Sequence, residues 1–108
     1  MLYKDIILSQ LDKKYSAWNK QIQKMAGIDY NTYAKLAIGL LAELKGYISA
    51  MCDTVLGLYN AEAMDAQEAD YLIKQILKVS YNVTDAVRLT ASTCHSETTA
   101  ELEKRSIN

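Results

Sequence analysis

An all-α fold, an antiparallel bundle of three long helices, follows from three features of this 108-residue chain. It holds no proline and only four glycines; a proline inside a helix would cost about 3 kcal/mol. Half of the residues are apolar and 23% are charged, the balance of a globular chain rather than a disordered one. The apolar residues recur at intervals of three and four over three long stretches, which is the period of a helix face. A chain of this length makes one domain and buries roughly two-thirds of its unfolded surface. The bundle domain is expected over residues 1–95, with a polar segment at 96–108.

The first helix is expected over residues 3–26. Leu8, Leu11, Tyr15, Trp18, Ile22 and Met25 form one stripe, an a/d pattern held over three heptads. Lys13, Lys20 and Lys24 fall on the other side. Gly27 stands where a left-handed residue ends a helix, and Asp29 or Asn31 is placed to cap the next one.

The second helix is expected over residues 31–59, and it reads as the centre of the bundle. Between residues 33 and 59 only Lys35, Glu43, Lys45 and Asp53 carry charge. One stripe is Tyr33, Leu36, Leu40, Leu44, Tyr47, Met51, Val55 and Leu58; a neighbouring one is Ala37, Leu41, Ile48, Cys52 and Tyr59. Together they exceed the arc of about 100° that a one-sided helix buries, so cover from two neighbours is expected. The remaining sector holds Gly39, Gly46, Asp53 and Gly57. A helical glycine costs about 1 kcal/mol relative to alanine. The strip is therefore either idle surface or a place where another backbone comes close.

The third helix is expected over residues 66–94. Asp65 to Glu68 has the form of a capping box, with acids where the helix dipole favours them. Leu72, Ile76, Val79, Val83, Ala86, Thr90 and Cys94 form its apolar stripe, backed by Asp70, Lys74, Lys78, Asn82, Asp85 and Arg88. Beyond Cys94 the composition turns to Ser, Thr and charge, and Thr98 to Arg105 suits a short fourth helix or a fraying tail.

The residues specify an architecture more clearly than a chemistry. His95, the lone histidine, adjoins Cys94, but consecutive helical residues point about 100° apart, so the two make no nucleophile pair. Antiparallel packing puts Cys52 about 30 Å from Cys94, beyond the reach of a disulfide. Two free thiols suit a reducing compartment. No phosphate loop, metal-ligand spacing or Glu-x-x-His pair is present, and the acids from Glu62 to Asp70 lack the EF-hand spacing. No catalytic residue, cofactor or metal is therefore expected, and the chain is read as not an enzyme.

Net charge is −1, which favours neither a nucleic-acid binder nor a mimic of one. Residues 1–35 hold six Lys against three Asp, while residues 36–72 hold one Lys against six acids. Such a dipole can steer a partner. A nucleic-acid-associated regulator using the lysine face of the first helix is the alternative reading. Only Arg88 and Arg105 supply the guanidinium that base and phosphate recognition favours. No signal peptide is read at the N-terminus, and no apolar run approaches the ~20 residues of a membrane span. A cytoplasmic protein that does not engage a membrane is expected.

The function expected by elimination is a small interaction module, an adaptor, chaperone-like factor or inhibitor, that docks a helical face on another protein. A homodimer is also expected, because three thin helices leave little interior for this much apolar surface. Interfaces favour tyrosine, tryptophan and methionine. The candidate partner-binding residues are Tyr15, Trp18, Lys20, Lys24, Gly39, Gly46, Asp53 and Tyr59. The absence of Pro and Phe, with much Lys, Ile, Tyr and Asn, suits an AT-rich bacterial or phage gene.

Overall fold

The computed structural model describes residues 2–95. Three helices account for nearly all of them: α1 (Tyr3–Met25), α2 (Tyr30–Asn60) and α3 (Ala66–Ala91). They form the expected antiparallel three-helix bundle, with α1 and α3 parallel and α2 running against both. At about 1.5 Å per residue α2 is about 46 Å long. The expected tail at 96–108 lies outside the described residues.

The boundaries follow from local chemistry. Asp29 begins α2, its carboxylate accepting from the Thr32 amide at 2.9 Å and from the Thr32 hydroxyl at 2.8 Å. Those bonds hold its acid group below the usual aspartate range. Asp65 begins α3 in the same way, accepting from the Glu68 amide at 2.7 Å. Each cap follows an apolar residue, Ile28 or Met64, and precedes a buried one four positions into the helix, Tyr33 or Ala69. That is the spacing of a hydrophobic staple. At the end of α1, Gly27 takes the left-handed conformation at φ 76°. At the end of α3 the hydroxyls of Ser92 and Thr93 bond back to the carbonyls of Leu89 and Thr90. Such bonds compete with the helix ladder, and α3 stops at Ala91 rather than at residue 94.

The end of α2 carries a strained residue. Ala63 N–H donates to Leu58 O at 2.9 Å and Glu62 N–H to Tyr59 O at 3.0 Å, a Schellman arrangement. The residue in its left-handed position is Glu62, at φ 60°. A residue with a Cβ pays roughly 1–2 kcal/mol there. Glu62→Gly is therefore expected to raise stability by about 0.5–1 kcal/mol, once the greater freedom of glycine in the unfolded chain is set against the relief. Urea unfolding checks this; a destabilised variant would refute it.

The bundle is not centred where the apolar pattern pointed. The backbone of α3 comes close to both other helices, whereas the backbones of α1 and α2 stand farther apart and are bridged by side chains. The expectation that α2 is the central helix is thus corrected. Leu72, Ile76 and Val83 on α3 are 0% exposed. Among the core positions of α3 are the small or β-branched Ala69, Ile76, Val79, Val83 and Val87, which let two neighbours come close. Between α1 and α2 the space is filled instead by Trp18 and Tyr47, whose rings meet edge to face at 5.4 Å. Two rings of that size hold the backbones apart.

The core otherwise follows the stripes with shifts. On α1 Ile7 is buried while Leu8 and Tyr15 are half-buried; on α2 Leu36 and Tyr59 are exposed. Tyr33 is buried and donates its hydroxyl to Val87 O, tying the start of α2 to the end of α3. Cys52 and Cys94 are both free.

Candidate functional face

Each helix leaves part of its surface without a neighbour, and two open faces result. One lies along the seam of α2 and α3, on the side away from α1. Its middle is a shallow groove of about 390 Å³, lined by Leu41, Lys45 and Ser49 from α2 and by Ser80 and Thr84 from α3. Ile38 lies seven residues before Lys45, and Leu56 seven after Ser49, so both continue the line of the groove along α2. Leu77 and Tyr81 stand three residues before Ser80 and Thr84, flanking it on α3. Ile38 is 71% exposed and Tyr81 73% exposed; Leu56, Tyr59 and Leu77 are also exposed. Five large apolar side chains thus stand in water along one side of the bundle. Scattered single apolar residues are ordinary on a surface, but an aligned set is not.

The charge on this face lies mainly on its α3 flank. Lys45 is its one α2 cation; on the α3 flank Asp70 and Lys74, in line with Leu77 and Tyr81, pair with each other at 2.8 Å, and Arg88 pairs with Asp85 at 2.7 Å. Cys52, half-buried between Lys45 and Leu56, has its thiol pushed up by burial and by the neighbouring Asp53. It is held as the protonated, weakly reactive form.

The second face is a groove of about 470 Å³ between α1 and α2, at the end of the bundle where they are joined. Met25, Leu36, Gly39 and Leu40 give it an apolar floor; Lys24, Lys35 and Glu43 stand at its rim with Gln21. Glu43 pairs with Lys14 across the helices at 2.5 Å. That bond holds its carboxyl below the usual glutamate range, against a smaller upward push from burial. Lys14 also lies over the rings of Trp18 and Tyr47. The Trp18 indole N–H adds to the lowering at Glu43, yet its geometry falls short of a hydrogen bond, and it has no hydrogen-bond partner among the described residues.

The residues singled out from the sequence are dispersed over the molecule. Trp18 is 1% exposed, and as a partner-binding candidate it is corrected: its ring is core, out of reach while the bundle is intact. Tyr15 is half-buried on α1, and Lys20 is exposed. Lys24 and Gly39 come together in the α1–α2 groove. Gly46 and Asp53 continue the Gly39 strip along exposed α2. A Cβ added at Gly39, Gly46 or Gly57 would meet nothing within 4 Å, so no backbone of the described chain approaches the strip. Tyr59 is exposed at the far end of the α2–α3 face.

Sequence reasoning missed Ile38, Leu56 and Tyr81, and it takes Leu77 as widening the apolar face of the third helix, whereas Leu77 is exposed. A signal was present, since Ile38 and Leu56 are eighteen residues apart, five full turns on one line. It was hidden by the wider stripes beside it. Among the described residues no group of three or more His, Cys, Asp or Glu could hold a metal ion. No described helix is long and apolar enough to cross a membrane. No protein-family model, no curated protein and no solved structure matches this chain.

Proposed function

We propose that this protein is a non-enzymatic protein–protein interaction module, acting in the cytoplasm, that binds a helical partner through the α2–α3 face. The observation that carries the reading is the alignment of Ile38, Leu56, Tyr59, Leu77 and Tyr81 along one open seam. Full burial of a large apolar side chain supplies about 1.5–3 kcal/mol, and each of these, partly covered already, forgoes a fraction of that. A partner helix laid along the seam would recover part of it, with apolar anchors at helical spacing. A second copy of the chain is one such partner: the same face on each protomer gives a closed two-fold dimer. Free thiols at Cys52 and Cys94 suit a reducing compartment.

The test is the double variant Leu56→Glu with Tyr81→Glu. Both positions are exposed, so stability is expected to change by no more than about 0.5 kcal/mol per site. Light scattering measures self-association, and affinity capture with mass spectrometry compares the partners held by the two proteins. The expected result is that the dimer, or a specific captured protein, is lost at least tenfold in the variant. A wild-type monomer at high concentration whose captured proteins are all retained by the variant would remove the basis for this reading.

A further inference from the structure

The outer line of α3 has the charge order of a surface that fits a second copy of itself. Asp70, Lys74, Leu77, Tyr81, Asp85 and Arg88 follow one another at intervals of three and four, so they share one side of the helix. Each is exposed or half-exposed. Along the chain the order is acid, base, apolar, apolar, acid, base. Reversed, it is base, acid, apolar, apolar, base, acid. An antiparallel copy therefore meets every charge with its opposite and every apolar residue with an apolar one. Two parallel copies in register set like charge against like. The register is fixed as well, because residues 70 and 88, 74 and 85, and 77 and 81 are spaced evenly about residue 79.

We propose that the occupant of the α2–α3 face is a second copy of this chain, packed antiparallel about a two-fold axis beside Val79. This rests on the reading that the face docks a helical partner, and it names that partner. Under the axis Leu77 packs on the partner's Tyr81, and Tyr81 on the partner's Leu77; both are exposed in the single chain. The Asp70–Lys74 pair, at 2.8 Å, comes level with the partner's Asp85–Arg88 pair, at 2.7 Å. Asp70 meets the partner's Arg88, and Lys74 the partner's Asp85. Two pairs formed within each chain thus join into a four-charge cluster, once on each side of the axis. The axis crosses the groove near Ser49 and Ser80, which lays α2 along the partner's α2. There Tyr59 falls level with the partner's Leu41, and Leu56 with the stem of the partner's Lys45. The ends of the rod agree. Glu62, Asp65 and Glu68 stand at the α2–α3 turn, Lys24 and Lys35 near the opposite end, and antiparallel packing sets unlike ends side by side, which steers encounter. The extent is sufficient: between residues 70 and 88 the contact is about 27 Å long and two helices, about 20 Å, wide. That is roughly 500 Å² on each protomer, where specific interfaces begin.

Charge swaps in the full chain test it, with the dimer dissociation constant read by light scattering on dilution. Asp70→Lys with Lys74→Asp keeps an ion pair within the chain but reverses its order, and so does Asp85→Arg with Arg88→Asp. Either swap alone sets like charges together across the axis and is expected to weaken the dimer at least tenfold. Both swaps in one chain make the order self-complementary again and restore the constant to within about threefold. Orientation is read by crosslinking in a Cys52→Ser, Cys94→Ser background, where Asp70→Cys protein is mixed with Arg88→Cys protein. A disulfide needs Cα atoms within about 7 Å. Under mild oxidation the bridge between 70 and 88 is expected to form at least tenfold faster than those joining 70 to 70 or 88 to 88. Swaps without effect, a double swap as weak as either single one, or 70–70 and 88–88 bridges as fast as 70–88 would each overturn the proposal. A wild-type monomer whose captured protein is lost with Leu56→Glu and Tyr81→Glu would also overturn it, while leaving the docking role of the face standing.

Discussion

Trp18→Ala is expected to remove about 3–5 kcal/mol of stability. Folded domains have only about 5–15 kcal/mol in total, so the variant stands near the edge of folding at ambient temperature. The side chain is 1% exposed and fills the space between α1 and α2. Truncation leaves a cavity that α1 and α2 can close only by tilting, and both are already held by α3. It also removes the edge-to-face contact with Tyr47, worth about 0.5–1.5 kcal/mol beyond its area, and uncovers the stem of Lys14 beside Glu43. Trp18→Phe is the informative companion. It loses volume but also deletes a buried indole N–H that has no hydrogen-bond partner among the described residues and only a weak interaction with Glu43; such a group costs up to about 1–3 kcal/mol when left unsatisfied. Phe is therefore expected to cost well under half of what Ala costs. Urea unfolding followed by circular dichroism suits both, since the lone tryptophan is gone as a fluorescence probe. A loss below about 1 kcal/mol for Trp18→Ala would mean that the gap between α1 and α2 collapses freely.

The helices were legible because their signals are local. Asp29, Asp65 and Gly27 act within a turn of themselves, and the observed starts and stops lie within three residues of those expected. What periodicity cannot supply is the identity of the neighbour. An apolar arc on α2 states how much surface wants cover, not which helix covers it or whether anything does. Leu36 shares one stripe with Leu40 and Leu44, yet only the latter two are buried. Residue type was equally ambiguous at Trp18, where one ring chemistry serves a core and an interface alike. The narrow, β-branched stripe of α3 looked like the simpler pattern, and it belongs to the helix with two neighbours. Small side chains allow close approach from both flanks, so a modest stripe marked the hub and a wide one marked an edge.

Ile76→Ala follows from that inversion and separates the two arrangements. Ile76 is 0% exposed on α3, and its loss is expected to cost about 2–5 kcal/mol. Ile38→Ala, made in the helix that the apolar pattern placed at the centre, should change stability by less than about 0.5 kcal/mol, because Ile38 is already 71% exposed and surface changes are small. The distribution of the damage is as telling as its size. The backbone of α3 comes close to both α1 and α2, while these two meet through side chains such as Trp18 and Tyr47, so loosening α3 loosens the hold on both. A loss of about 2.8 kcal/mol corresponds to about a hundredfold in the opening equilibrium. Native-state amide exchange should therefore accelerate by a similar factor in the slowest amides of α1 and of α2. Acceleration confined to α2, with α1 unaffected, would show that α1 has another anchor than α3. A large cost at Ile38 with a small one at Ile76 would return α2 to the centre of the bundle.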